Sequence, residues 1–261
     1  MKPRLAVGVL LAIHLAVLFA GWLSPYDPTE QHRDAALTPP SRAFLLGTDQ
    51  YGRDQLSRVL HGGRVSLTAG WIATGIALSL ALALGSIAGY YGGWIDELTM
   101  RAADLFLALP WLYLLIAVRA LLPLTLEPRA AFLLISGLIG FLGWARPARL
   151  IRGIALSVKQ RDYVQAARGF GASNVYLLMR HILPETRSVA LTQAAILAPQ
   201  FILAEVSLSL FGLGVPEPFA TWGGMLGSFR QVALLATCWW LVAPLVVLVI
   251  VLACYRTLQL E

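Results

Sequence analysis

Apolar residues in this chain come in long solid blocks. Six runs stand out, Leu5–Leu23, Leu67–Tyr90, Met100–Leu122, Ala130–Ala145, Val189–Leu213 and Val232–Tyr255, with polar, proline-bearing or arginine-bearing stretches between them. About 20 apolar residues are what a helix needs to cross a bilayer. In lipid the backbone must satisfy its own hydrogen bonds, so such runs are helices. A barrel would show period-two alternation, which these runs lack. The pattern predicts an all-α polytopic membrane protein with six transmembrane helices.

Details inside the runs sharpen that expectation. In the second, Ala77, Ala81, Gly85 and Gly89 recur every fourth residue, a small-residue face that lets another helix approach closely. In the third, Pro110 predicts a kink, while Arg101, Asp104 and Arg119 near its ends are expected to snorkel to the interface. The fourth run is short, with Arg146 placed to reach headgroups. The fifth is polar for a membrane helix, carrying Gln193, Gln200 and Glu205. An acid that deep faces a bundle interior or an aqueous path, so Glu205 is read either as a hydrogen-bonding group between helices or as a contact for solute. The stretch GLGVPEPFATWGGML after it reads as a re-entrant segment or turn.

Two polar segments carry the rest of the pattern. From Ser24 to Arg64, five arginines face five acids, with prolines at 25, 28, 39 and 40. Its end reads as a short surface helix with Asp54 and Arg58 as an i,i+4 pair. From Arg146 to Arg187, eight Lys/Arg stand against Asp162 and Glu185. Within it, Arg161–Glu185 reads as two short helices. Asp162 is expected to cap the first, with Gln165 as reciprocal partner. Ala166 and Ala167 keep its surface flat, Gly169 and Gly171 interrupt it, and Pro184 marks a stop or kink after the second. From pattern alone, this is either a loop packed on its own bundle or a surface that another protein grips.

Composition agrees with a membrane protein. The 261 residues are 58% hydrophobic and 13% charged, against about 25% charged in soluble domains. The net charge of +6 follows the loops and does not indicate a nucleic-acid partner. Lys2 and Arg4 precede the first run, which is read as a retained helix with its N-terminus in the cytoplasm. Both termini then lie inside, and the inside segments hold more Lys/Arg than the outside ones, as the positive-inside rule expects; Arg58 and Arg64 are local exceptions. Cys238 and Cys254 lack metal-ligand spacing. There is no Walker A pattern, no HExxH and no GxSxG. The chain is therefore not expected to be an enzyme, and active transport would draw on an ion gradient or an ATP-hydrolysing partner.

At the basic loop, DYVQAARGFGASNVYLLMRHILPE resembles the EAA motif of ATP-binding-cassette importer permeases. Gln165 stands where that motif carries glutamate, and Ala166, Ala167, Gly171, Ile182, Leu183 and Pro184 are in place. His181 fits the variant of the dipeptide/oligopeptide/nickel branch. Two further stretches resemble that branch: Gly47-Thr48-Asp49 with Gly52-Arg53-Asp54 and Ser57-Arg58, and LSLFGLGVPEPFATWGGML from Leu208 to Leu226. The first span followed by Pro25–Pro28 is similar to the C-type permease.

The resemblance implies a type I importer transmembrane fold in the bacterial cytoplasmic (inner) membrane. An N-terminal helix plus extracytoplasmic segment (1–65) would precede a five-helix permease core (66–261), with the coupling loop at about 146–187. It implies three kinds of partner besides membrane lipid: a B-type permease, two ATPase subunits and an extracytoplasmic solute-binding protein. Residues Asp162, Gln165, Ala166, Ala167, Gly171 and Pro184 would couple to an ATPase. ATP and Mg would be held by the ATPases and no cofactor by this chain. Peptides are the expected cargo, with nickel or another small solute as the alternative. An ion-coupled secondary transporter would show inverted repeats with matched broken helices, and the halves here do not resemble each other. A non-transporting scaffold would leave the polar fifth run unexplained.

Overall fold

The computed structural model describes residues 3–123, 125–230 and 232–259. Lys2, counted above in the cytoplasmic head, and Leu124, in the connection after the third run, lie outside the described residues. Among the described residues the chain is all-helical, without strands. Among the described residues three helices are long and apolar enough to cross a membrane, Gln55–Tyr91, Asn174–Leu210 and Trp239–Gln259. Two bent pairs pass the same test together, Gly93–Ala108 with Trp111–Leu121 at 90° and Pro128–Leu142 with Ala145–Val158 at 46°. Pro110 sits at the first break, so the expected kink is a full right-angle turn. A shorter apolar helix, Pro3–Leu18, leads the chain.

Several boundaries differ from the expectation, each for a local reason. The surface helix and the second run are one continuous 37-residue helix, about 55 Å long at 1.5 Å per residue. The last run breaks at Cys238, so its membrane-length helix starts at Trp239. Much of the basic loop is helix, Ala145–Val158. Pro184 neither stops nor opens a helix. It lies in one that runs on to Leu210, preceded by a π-helical turn, Leu178–Ile182, in which the Leu183 N–H donates to Leu178 O. A proline removes one i→i−4 donor, and a widened turn beside it re-routes the carbonyls.

The chain forms two compact units. The first gathers the N-terminal part to Trp71, the segment Arg119–Ser136 and the C-terminal part from Pro199. Here Pro3–Leu18 packs along Ala243–Gln259. His14 joins that contact, accepting from Trp71 Nε1 at 3.3 Å and lying 3.4 Å from the Tyr255 hydroxyl. Arg119 does not snorkel. It is 1% exposed, and its Nη1 donates to Pro123 O at 3.2 Å, back onto the turn that follows its own helix.

The second unit holds Ile72–Val118 and Gly137–Ala198. The small-residue face is used as expected: Ala77, Ala81, Gly85 and Gly89 are buried. A Cβ on Gly85 would lie 2.5 Å from Ala148 O and one on Gly89 2.6 Å from Arg152 O. The backbones of the Gln55–Tyr91 and Ala145–Val158 helices touch there because no side chain intervenes. Gly93–Ala108 packs on Ala145–Val158 as well, with Asp96 accepting from Arg152 Nε at 2.8 Å and Asp104 paired with Arg149.

Candidate functional site: an anchored surface helix and a paired-motif ion cluster

In the second unit, the Arg161–Glu185 segment forms a short helix, Asp162–Gly169, a turn, and the start of the Asn174–Leu210 helix. Arg161 occupies the cap position without a side-chain bond, and Asp162 falls in the first turn. There it faces the positive end of the helix dipole, which replaces the capping role expected of it. Gln165 does not reach back as a reciprocal cap either. Its Nε2 donates to Lys159 O at 2.7 Å, closing an otherwise unpaired carbonyl at the end of the preceding helix. Gly169 still belongs to the helix, and the reversal is made at Gly171, with φ +86°. No side chain is built into that turn, because a β-carbon disfavours the left-handed region. Ser173 then caps the next helix, accepting from Tyr176 N–H at 3.3 Å.

One side of this segment is tied down. Val164, Leu177 and Ile182 are buried in a cluster with Tyr90, Ala155 and Val158. Tyr90 OH donates to Asn174 Oδ1 at 2.6 Å and accepts from Arg168 Nη2 at 3.2 Å. Lys159 Nζ donates to Gly89 O at 2.8 Å and to Tyr90 O at 3.3 Å, a cation on the carbonyl end of a helix. The other side is open: Asp162, Gln165, Ala166, Gly171 and Pro184 are exposed and Ala167 is half-buried. Phe170 at the tip is 92% exposed. The structure thus brings the predicted residues of this segment to one anchored surface element.

In the first unit, the two remaining motifs meet. Gly52, at φ +74°, turns the chain so tightly that a Cβ would overlap His32 O. Asp49 Oδ1 accepts the Tyr51 and Arg53 N–H groups at 2.8 and 2.9 Å, and Thr48 bridges Asp54. Asp54 is not the partner of Arg58. Its Oδ2 accepts the Ser57 N–H at 2.8 Å and hydroxyl at 2.7 Å, which starts the 37-residue helix. Arg58 turns instead toward Asp49 and Glu217. Arg53 Nε donates to Asp49 Oδ2 at 2.7 Å and its Nη1 to Glu217 Oε2 at 2.9 Å, while Arg58 Nη2 donates to Glu217 Oε1 at 3.1 Å. Two acids and two arginines from positions 164 residues apart form a closed cluster.

The Gly212–Leu226 stretch is held on the same helix. Trp222 is fully buried, its indole N–H donates to Val59 O at 2.9 Å and its backbone N–H to the Ser66 hydroxyl at 3.2 Å. Upstream, the Pro25–Pro28 stretch holds Asp27, whose carboxyl accepts the Thr29 hydroxyl and N–H at 2.5 and 2.8 Å. Those bonds keep its pKa below the ordinary aspartate value.

The polar residues of the fifth run are not gathered into one place. Glu205 is fully buried in the first unit, with Oε1 accepting the Ser209 hydroxyl at 2.7 Å. The Ser66 hydroxyl is also within its reach, although Oε2 has no partner of good geometry. Gln193 is buried with an unpaired Oε1 in the second unit, and Gln200 is exposed. Glu217 had no assigned role in the sequence reading. Its sequence signals are its place in the Leu208–Leu226 stretch and between two prolines, Pro216 and Pro218, which restrict the backbone that presents it.

Bent, apolar helices of membrane-spanning length with an anchored surface helix between them place the chain among multi-pass membrane proteins. The profile for binding-protein-dependent transport system inner membrane components matches residues 81–259, and that for the N-terminal TM domain of oligopeptide transport permease C matches residues 4–40. The chain is 39% identical over 247 residues to the di/tripeptide transport system permease protein DppC of Pseudomonas aeruginosa, covering 91% of this chain and 79% of that one. It is 33% identical to the dipeptide transport system permease protein DppC of Bacillus subtilis, covering 92% and 73%. It is 37% identical to the probable D,D-dipeptide transport system permease protein DdpC of Escherichia coli, covering 89% and 75%. The chain belongs to the binding-protein-dependent transport system inner membrane component family: it is a membrane permease subunit and not a catalytic enzyme.

Proposed function

We propose that this chain is the C-type permease of an ATP-driven importer that moves di- or oligopeptides across the bacterial cytoplasmic membrane. The observation that carries this reading is the Asp162–Gly171 element, exposed on one side and held on the other by Gln165 on Lys159 O, Arg168 on the Tyr90 hydroxyl and the buried Val164. An element that transmits motion must be rigid where it meets the permease and open where it meets the motor. Asp162, Gln165, Ala166, Ala167, Gly171 and Pro184 would present it to an ATPase subunit, with ATP and Mg held there and not by this chain. A second, B-type permease, two ATPases and a solute-binding protein complete the assembly. Peptide as cargo is supported by the names of the relatives.

Six spans follow if the three long helices, the two bent pairs and Pro3–Leu18 each cross once, with both termini cytoplasmic and the 24–64 segment outside. Gln193, Gln200 and Glu205 remain bundle-interior or pathway candidates.

The test is reconstitution of the complex in liposomes, with uptake of labelled dipeptide measured alongside ATP hydrolysis. Uptake that needs ATP, the binding protein and an intact ATPase site is expected. Uptake by this chain without any ATPase, or labelling of residues 162–171 from the outside, would overturn the reading.

A further inference from the structure

Two nearly buried guanidiniums in the first unit converge on one exposed carboxylate. We propose that Arg53 and Arg58 form an anion site that Glu217 fills in the resting protein, and that the main-chain carboxylate of a transported peptide takes its place. This rests on the peptide reading above.

The four charged groups are not equivalent. Asp49 is fixed, because its Oδ1 holds two backbone N–H groups and its Oδ2 the Arg53 Nε. The Arg53 and Arg58 side chains are 9% and 3% exposed, whereas that of Glu217 is 60% exposed. Its bonds run to the two arginines. Pro216 and Pro218 hold its backbone, but its side-chain torsions can swing the carboxylate into solvent without moving the segment.

With Glu217 swung out, Asp49 is the one acid of the cluster left to the two arginines, Arg58 also donating to Pro28 O, and the cluster carries one excess positive charge. At that depth an unpaired guanidinium is costly until an anion returns. The guanidinium fork matches the two oxygens of a carboxylate in a bidentate geometry. Beside it lies a cavity of about 200 Å³, walled also by Gln50, Gln55 and Ser228. That is below the roughly 300–1,000 Å³ of a drug-sized site, and it suits a carboxylate head with its terminal residue. Peptides of differing side chains share few groups, and the C-terminal carboxylate is one of them.

The test uses the full complex of permeases and ATPases in lipid nanodiscs, without the binding protein. Trialanine and its C-terminal amide are the probes, and saturation-transfer NMR reads their Kd on the wild type and on Glu217→Gln. If Glu217 holds the arginines nine-tenths of the time, removing its charge tightens the free acid about tenfold. The amide stays weak in both proteins, and the wild type prefers acid over amide at higher concentration. Equal affinity for acid and amide in both proteins, or no binding of either, overturns the anion site. Uptake of trialanine with the binding protein restored is measured on the same preparation. Absence of uptake sinks the peptide reading, whereas normal uptake without acid–amide discrimination sinks the anion site alone.

Discussion

The Arg161–Glu185 element and the Asp49–Arg53–Arg58–Glu217 cluster are both built from motif residues, but by different physics. The first is local. One left-handed glycine, a cap and a few side-chain-to-backbone bonds shape 25 consecutive residues. The second joins residues 164 apart, and the two arginines share the nearby Asp49 and are balanced in charge only because a distant loop supplies Glu217. A local element should fail by degrees when edited. A charge cluster should fail at once when one of its nearly buried members is lost, because the groups that stay buried are left unbalanced.

The sharpest test of that difference is Arg58→Met. It strands the Asp49 and Glu217 carboxylates with one arginine between them. Removing one partner of a buried ion pair costs about 3–5 kcal/mol, so thermal unfolding of the purified complex should shift down by several degrees. A shift within error would mean that the cluster is no more than a surface pair. Next in size is Gly85→Val, which drives a branched side chain into Ala148 O. Overpacking costs about 1–3 kcal/mol, and Gly75→Val, on the same helix where an added Cβ meets nothing within 4 Å, is the control for added bulk without the backbone contact. If both variants unfold alike, the small-residue face is not what brings these helices together.

The contrast also explains what could be read from the chain. The apolar runs, the small-residue face, the Pro110 bend and the exposed basic element all rest on spacing within a window of 10 to 20 residues, and sequence carries such spacing directly. The partners of Arg58 were out of reach. Asp54, four residues away, is the obvious mate by helical spacing, yet the start of a long helix needed that carboxylate for Ser57. The true mate lies between two prolines in another motif. Arg119 misled for a related reason. A terminal arginine next to a predicted interface snorkels only if the chain beyond it runs outward, and here the turn at Pro123 folds over it. Pro184 reads as a stop or kink because a proline removes a donor, and the π-helical turn beside it has no sequence mark of its own.

Within the local element, Gly171→Val should cost about 1–2 kcal/mol in the turn alone, since a Cβ there meets open space. The complex should assemble, but uptake should fall about tenfold while ATP hydrolysis continues. Gly171→Asn, which tolerates the left-handed region, should restore most of the uptake. Equal loss in both variants would place the defect in side-chain bulk at a docking surface and not in backbone shape.

The smallest effect is expected at Gln165, where this chain departs from the glutamate of the motif. Two readings compete. If the position is read by charge, Gln165→Glu restores an acid on the exposed face and should improve coupling. The structure favours the opposite result. The Gln165 side chain donates an N–H to Lys159 O, and an ionised carboxylate cannot donate; it would set negative charge against a carbonyl oxygen. The loss is that of one hydrogen bond near the surface, about 1 kcal/mol. Hydrogen exchange should therefore quicken over Lys159–Gln165, and uptake per ATP should drop by no more than a few-fold. Lys159 itself is held by Gly89 O and Tyr90 O, so loosening its carbonyl also loosens the tie between the surface element and the long helix. Uptake per ATP that rises in Gln165→Glu, with exchange unchanged, would show that the partner reads this position and that the intramolecular bond is incidental.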